Sequence, residues 1–205
     1  MATTHEIHLS APYRLDLTVS ALRRTSTNLV DIYTRDGRYL RAFGGVSRPV
    51  IISVTQPSKE KLRVSISSVP GNVLHAERTL SCVRRILGTE RGLADFHRRA
   101  RTIPWLSPLA RRMRGLRPPR YPGLFEACAN AILFQQVSLQ AASAIMHRLL
   151  IAIGTRVEHD DVPLVVFPSI EQFLGAGDSV IRAAGFSAGK LATLRRAGEA
   201  IAGGD

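Results

Sequence analysis

Lysine is nearly missing from this chain of 205 residues, with three against 25 arginines. Other scarcities narrow the possibilities more sharply. Only two cysteines occur, Cys82 and Cys128. That excludes a disulfide framework and any cysteine-based zinc spacing, and both lie in apolar helical patterns suited to small buried thiols. No apolar run approaches the ~20 residues of a membrane helix; residues 149–153 form the longest and fall far short. The N-terminus lacks a basic stretch followed by an apolar one, so no secretory leader is expected and a cytoplasmic location follows by default. The six histidines form no i, i+4 pair, and His159-Asp160-Asp161 suits a solvated acidic linker better than a cation site. Phosphate-loop, dinucleotide and Gly-x-Ser-x-Gly patterns are missing. Asp16, Asp31, Glu126 and Asp178 are scattered, each with a structural reading, Asp178 standing where a helix N-cap belongs. No metal or organic cofactor is expected, and composition alone assembles no catalytic constellation.

What is present is positive charge. Lysine and arginine total 28 against 16 acids, a net charge of +12. Such a field attracts polyanions and speeds their encounter. Between residues 98 and 120 lie Arg98, Arg99, Arg101, Arg111, Arg112, Arg114, Arg117 and Arg120, interrupted by prolines and poor in acid. A GC-rich genome would account for arginine in place of lysine, but not for the scarcity of acid in this segment. The prolines argue against a basic amphipathic helix lying on a membrane. RNA binding through the same stretch is a weaker reading, because no aromatic RNP-type strand accompanies it.

The pattern along the chain is that of an α+β protein. Leu15, Leu17 and Val19 alternate with polar residues, as in a half-buried strand. Asp36-Gly37 marks a turn between Tyr33 and a strand from Tyr39. Residues 50–54 and 62–66 flank the polar loop 56–60 in a second hairpin, and Pro70-Gly71 closes the strand region. From Asn72 the period becomes helical through Val73, Leu80, Val83 and Ile86, with Gly88 as the stop. Residues 93–120 should form short helices and arginine-rich extended connections. Pro122 suits the first turn of a helix carrying Cys128 and Leu133. Ser138 suits the N-cap of a helix ending at Gly154. A polar linker spans 155–161, Ser169 and Gln172 form a capping box, a short helix runs from Asp178 to Gly185, and Ser187 caps the last helix. The expected divisions are an α+β domain over 1–88, an arginine- and proline-rich connection over 89–121, and a helical domain over 122–205.

The most informative stretch is 125–138. A helix-forming run reaches Gln135-Gln136, and Val137-Ser138 opens the next helix, so two amide side chains stand at a helix–helix corner. Opening duplex DNA costs a few kcal/mol per unstacked step, and proteins offset this by inserting a side chain while holding neighbouring phosphates. Gln136 could fill such a gap. On spacing alone, an ordinary polar, solvent-facing turn is the better account of both glutamines.

Several blocks resemble the helix-hairpin-helix DNA glycosylases of the 3-methyladenine DNA glycosylase II type. Residues 12–17 resemble that family's opening strand. Residues 114–117, 125–127 and 131–138 resemble its central helix pair, while Phe167-Pro168-Ser169 and 184–190 resemble its next two helix entries. The resemblance implies an N-terminal antiparallel sheet with helix, like half of a TATA-binding fold, followed by an all-helical glycosylase domain, here expected to be incomplete. It implies hydrolysis of the N-glycosidic bond of alkylated purines, with double-stranded DNA carrying a damaged base as partner and no membrane. It places the inserting residue at Gln136 and implies DNA contacts at Gln135, Ser138, Arg114, Arg117, Arg120 and Lys190. The family's catalytic aspartate and hairpin follow the block around Lys190, and no residue here matches them; a position that supplies an aromatic in some members falls near Ala21. The expectation is therefore weak, salt-sensitive DNA binding with little excision, the missing helices being supplied by a further polypeptide. The alternative is a non-enzymatic DNA- or partner-binding module from a truncated or split gene.

Overall fold

A computed structural model describes residues 2–44, 49–67 and 74–204. The turn expected at Pro70-Gly71 and the helix start at Asn72 and Val73 lie outside the described residues. The chain opens with β1 (Ala2–His8), α1 (Leu15–Arg23), β2 (Ile32–Tyr33), β3 (Tyr39–Phe43), β4 (Val50–Ser58) and β5 (Lys61–Ser67). Next come α2 (Leu74–Ile86), α3 (Ala94–Ala100), α4 (Ser107–Arg112), α5 (Leu124–Leu133) and α6 (Leu139–Ile153). A hairpin of β6 (Thr155–His159) and β7 (Val162–Val166) precedes α7 (Ile170–Gly175), α8 (Asp178–Ala183) and α9 (Ala188–Gly203). The architecture is α+β. One sheet has the order β1-β5-β4-β3-β2 and a second pairs β6 with β7. No helix among the described residues is long and apolar enough to cross a membrane.

The residues form two compact units that interleave in sequence. The first comprises 1–24, 33–40 and 52–120; the second comprises 25–32, 41–51 and 121–205.

In the first unit, Leu62, Val64 and Ile66 of β5 and Ile52 and Val54 of β4 are buried at alternate positions, as a sheet with one packed face requires. β1 pairs antiparallel with β5 from Ala2 opposite Ser67 to His8 opposite Lys61. Only Ile7 of this edge strand is buried, so its polar sequence carries no alternation to detect. The segment at 15–20 is a helix and not the strand that alternation suggested. Its buried residues are Leu15, Thr18, Val19 and Leu22, the i, i+3, i+4, i+7 set of a helical face. Leu15, Leu17 and Val19 fit both periods. The helix prevails because Gln56 accepts a hydrogen bond from the Leu15 amide at 2.8 Å, and Thr18 Oγ1 accepts from the Arg117 amide at 3.1 Å. Residues 12–17 are therefore a helix entry. The loop expected at 56–60 is also shorter, since β4 continues to Ser58.

In the second unit, Phe125, Ala129 and Leu133 of α5 recur every four residues and bury against Leu149, Phe173, Ile181, Phe186, Leu191 and Leu194. α5 packs on α9. The span 155–161 is not a linker but most of a hairpin, with His159 opposite Val162. Asp160 and Asp161 both have positive φ, 48° and 60°, as a two-residue type I′ turn requires. Asp-Asp occupies positions where Asn-Gly is the usual signal, which is why the turn escapes the sequence. Pro122 lies ahead of α5, whose N-cap is Gly123. Asp178 is not a cap either: Gly177 holds that position, and the Asp178 carboxylate pairs with Arg195 at 2.5 Å.

A buried charge cluster ties this unit together. Arg41 is 1% exposed. Its two terminal nitrogens donate to Asp31 at 2.6 Å and to Glu126 at 2.5 Å. Burial pushes the Glu126 carboxyl above its ordinary range; Arg41 pulls it down and Asp31 pushes it up again. The roles of Asp31 and Glu126 here are structural. One cation facing two buried carboxylates holds the strand segment against α5, and removing one partner of such a cluster typically costs about 3–5 kcal/mol.

Candidate nucleic-acid interface

The corner between α5 and α6 is built from both sides. α5 ends at Leu133, and the Gln135 amide closes a last tight turn onto the Ile132 carbonyl at 3.4 Å. Gln136 then takes φ = 55°, a left-handed conformation that costs a non-glycine residue on the order of 1 kcal/mol. Ser138 restarts the helix, its hydroxyl accepting from the Ala141 amide at 3.1 Å. Gln135, Gln136, Val137, Ser138 and Leu139 are all exposed, including two apolar side chains, Val137 at 39% and Leu139 at 45%. The corner is thus a projecting knuckle with amide and apolar groups at its tip. Side chains of both kinds are what a protein inserts into an opened base step.

Lys190 explains how this strained turn persists. Expected among the DNA contacts, it donates through its ammonium to the carbonyl of Leu133 at 2.8 Å and of Gln135 at 2.9 Å. A cation on the last carbonyls of α5 satisfies orphan acceptors and opposes the negative end of the helix dipole. Three residues place it there. Gly185 takes φ = 108° after α8, where an added Cβ would lie 2.8 Å from the Arg148 guanidinium and 3.0 Å from Ile145. Phe186 is buried at 4% exposure. Ser187 caps α9 by accepting from the Lys190 amide at 3.3 Å. The Gly185-Phe186-Ser187…Lys190 block is therefore a brace for the glutamine corner.

The arginines expected at DNA have different fates within the first unit. Arg114 is exposed. Arg120 is half-buried, and its amide donates to the Ile86 carbonyl at 3.1 Å. Arg117 is withdrawn from the surface, 5% exposed, with its guanidinium donating to the Ser10 carbonyl at 3.0 Å. Arg98, Arg101 and Arg111, which belong to the acid-poor arginine segment but were not among the expected DNA contacts, wall with Arg114 and His97 a cavity of about 850 Å³. The acid-poor composition of this stretch was the available signal. Trp105 stands out at 72% exposure. Among the described residues no group of histidine, cysteine, aspartate or glutamate could hold a metal, and no carboxylate lines this cavity.

In sequence and in fold the chain is similar to DNA glycosylases. A DNA-3-methyladenine glycosylase of Bacillus subtilis (strain 168) is 27% identical over 131 residues, which is 64% of this chain and 43% of that protein. The structure of a 3-methyladenine DNA glycosylase from Archaeoglobus fulgidus superposes with a TM-score of 0.78 at 22% identity, covering 95% of this chain and 66% of that one. A structure of MBOgg1 in complex with a low-affinity DNA ligand superposes with a TM-score of 0.71 at 14% identity, covering 98% and 64%. No family model matches the chain. The chain thus spans less than half of the curated relative, and just under two thirds of these solved structures.

Proposed function

We propose that these residues form the duplex-gripping and base-opening portion of a DNA glycosylase that hydrolyses the N-glycosidic bond of alkylated purines. The observation that carries this reading is the corner. Gln136 projects from a strained, left-handed turn that Lys190 clamps through two backbone carbonyls. Strain that surrounding groups enforce on an exposed side chain is a signature of function. A glutamine amide there can occupy the gap left by an extruded base and hydrogen-bond the orphaned partner. The B. subtilis relative supports the alkylated-purine assignment, and the DNA-bound neighbour supports the partner.

The excision step needs a carboxylate to stabilise an oxocarbenium-like sugar while water attacks. The corner bears no acid, Asp31 and Glu126 are engaged by Arg41, and Asp178 by Arg195. The 205 residues should accordingly bind damaged duplex far better than they excise from it. With ~4–6 arginines on phosphate, log K should fall with log salt at a slope of roughly −4 to −5.

The test is a duplex with one alkylated adenine flanked by 2-aminopurine, mixed with the purified chain. Binding should raise 2-aminopurine fluorescence as the step unstacks, and Gln136→Ala should remove most of that rise. An unchanged rise in the variant refutes insertion at Gln136, and rapid release of the alkylated base would refute the division between binding and excision. The rival reading, a DNA-binding module with no part in repair, requires equal affinity for damaged and undamaged duplex.

A further inference from the structure

The construction of the cavity walled by arginines points to a ligand. Its walls come from the Ser10-Ala11-Pro12 segment and from α3 and α4 with their C-terminal extensions, all in the first unit. Arg98 lies in the last turn of α3 and Arg101 is its C-cap, while Arg111 lies in the last turn of α4 and Arg114 two residues beyond its end. All four line the same space. Arg117 closes the floor, fixed by the Ser10 carbonyl. Asp95 neutralises part of Arg98 from outside, at 2.6 Å, but no carboxylate lines the space.

Five guanidinium groups around one cavity repel one another unless an anion joins them. Arginine forks match phosphate oxygens bidentately, which makes phosphate the natural occupant. At about 850 Å³ the cavity exceeds a lone phosphate. Leu93, Ala94 and Ala110 add an apolar lining that suits sugar. Trp105, two residues before the wall residue Ser107, offers an exposed ring on which a base can stack. We propose that this cavity, within the first unit, is a phosphate-binding site that takes the phosphodiester backbone of a polynucleotide strand. The local field is consistent with this: burial together with Arg114, Arg117 and Arg101 holds His97 below its ordinary imidazole value.

The inference does not rest on the base-excision reading, because the probes need carry no lesion. Trp105 is the only tryptophan and reports directly by fluorescence. The full chain is titrated with inorganic phosphate, pyrophosphate and a short oligothymidylate. Arg101→Gln/Arg114→Gln is compared with Arg156→Gln/Arg196→Gln, an equal charge loss on exposed residues elsewhere. The cavity pair should weaken oligothymidylate binding by about tenfold and flatten the salt slope by about 1.4, the single-strand value for two phosphate contacts. Equal weakening by the two double variants overturns the site. Saturable binding of phosphate or pyrophosphate that the cavity pair abolishes, with oligothymidylate binding untouched, overturns the strand assignment in favour of a free anion. Arg98→Gln/Arg111→Gln provides a second variant should the first fold poorly, and it should give the same loss.

Discussion

Replacing Gln136 by glycine separates what the corner does for folding from what it does for DNA. At φ = 55° the glutamine carries left-handed strain of about 1–2 kcal/mol. Glycine removes that strain but enters folding with more freedom to lose, about 0.5–1 kcal/mol. The net expectation is a gain of roughly 0.5–1 kcal/mol, seen as a higher urea midpoint at unchanged slope. In a chain of this size that corresponds to a melting temperature up by about 1–4 °C. Duplex binding should move the other way. The lost amide contact to an orphaned base is worth about 1–1.5 kcal/mol, close to a tenfold weaker Kd. Gln136→Ala keeps the strain and loses the amide, so it should match glycine in binding without the gain in stability. Fluorescence anisotropy on a damaged duplex and urea titration read the two effects independently. A glycine variant destabilised by more than ~1 kcal/mol would refute stored strain, and one binding as tightly as the parent would refute insertion.

Four further outcomes are expected. Lys190→Met removes two charge-assisted hydrogen bonds, costing about 1–3 kcal/mol of stability, and should weaken duplex binding while leaving the salt slope unchanged; a slope reduced by about one would place the ammonium on phosphate instead. Glu126→Gln tests the buried cluster: because burial raises the folded carboxyl above 4.5, its contribution is complete below that value and is lost as pH rises through the folded pKa. The parent should therefore lose stability relative to the glutamine variant as pH climbs above 4.5, and a relative gain in denaturation midpoint over that interval would reverse the assignment. Arg114→Gln should raise the His97 titration midpoint seen by NMR, because burial and then Arg114 are the leading causes of its depression. Asp161→Gly should stabilise the β6–β7 hairpin by about 0.5–1 kcal/mol, a thermal shift that a different turn geometry would not give.

Much of the second unit was legible in the sequence because its helices are punctuated by local chemistry. Ser138, Ser187 and the Ser169–Gln172 capping box all cap as their spacing implies, since a cap needs only residues three apart. The corner was legible for the same reason. What escaped was set by distant partners. Residues 15–22 satisfy two periods at once, and contacts from Gln56 and Arg117 choose between them. β1 is a polar edge strand whose only apolar core position is Ile7. The Asp160-Asp161 turn uses backbone angles that its residues tolerate but do not announce. In the first unit, charge density marked out the arginine segment. It could not say which guanidiniums face solvent, so Arg117 looked equivalent to Arg114 although one is buried and the other exposed.

The two blocks that most resemble the glycosylases, around residues 131–138 and 184–190, are one device in space. Left alone, the corner would relax, because an exposed glutamine gains nothing locally from positive φ. Lys190 prevents this by holding the carbonyls on the α5 side of the turn, while Ser138 fixes the α6 side. Lys190 reaches them only if α9 starts at Ser187, and that start depends on Gly185 turning where a side chain would strike Arg148. Arg148 is itself held, donating to the Ala184 carbonyl at 2.8 Å. The hydrogen-bonded links tie a side chain to the backbone within the fold, so the geometry of the knuckle is set before any duplex arrives. That order carries a consequence for binding: the strain is met in folding, and a nucleic acid meeting Gln136 need not pay for it again.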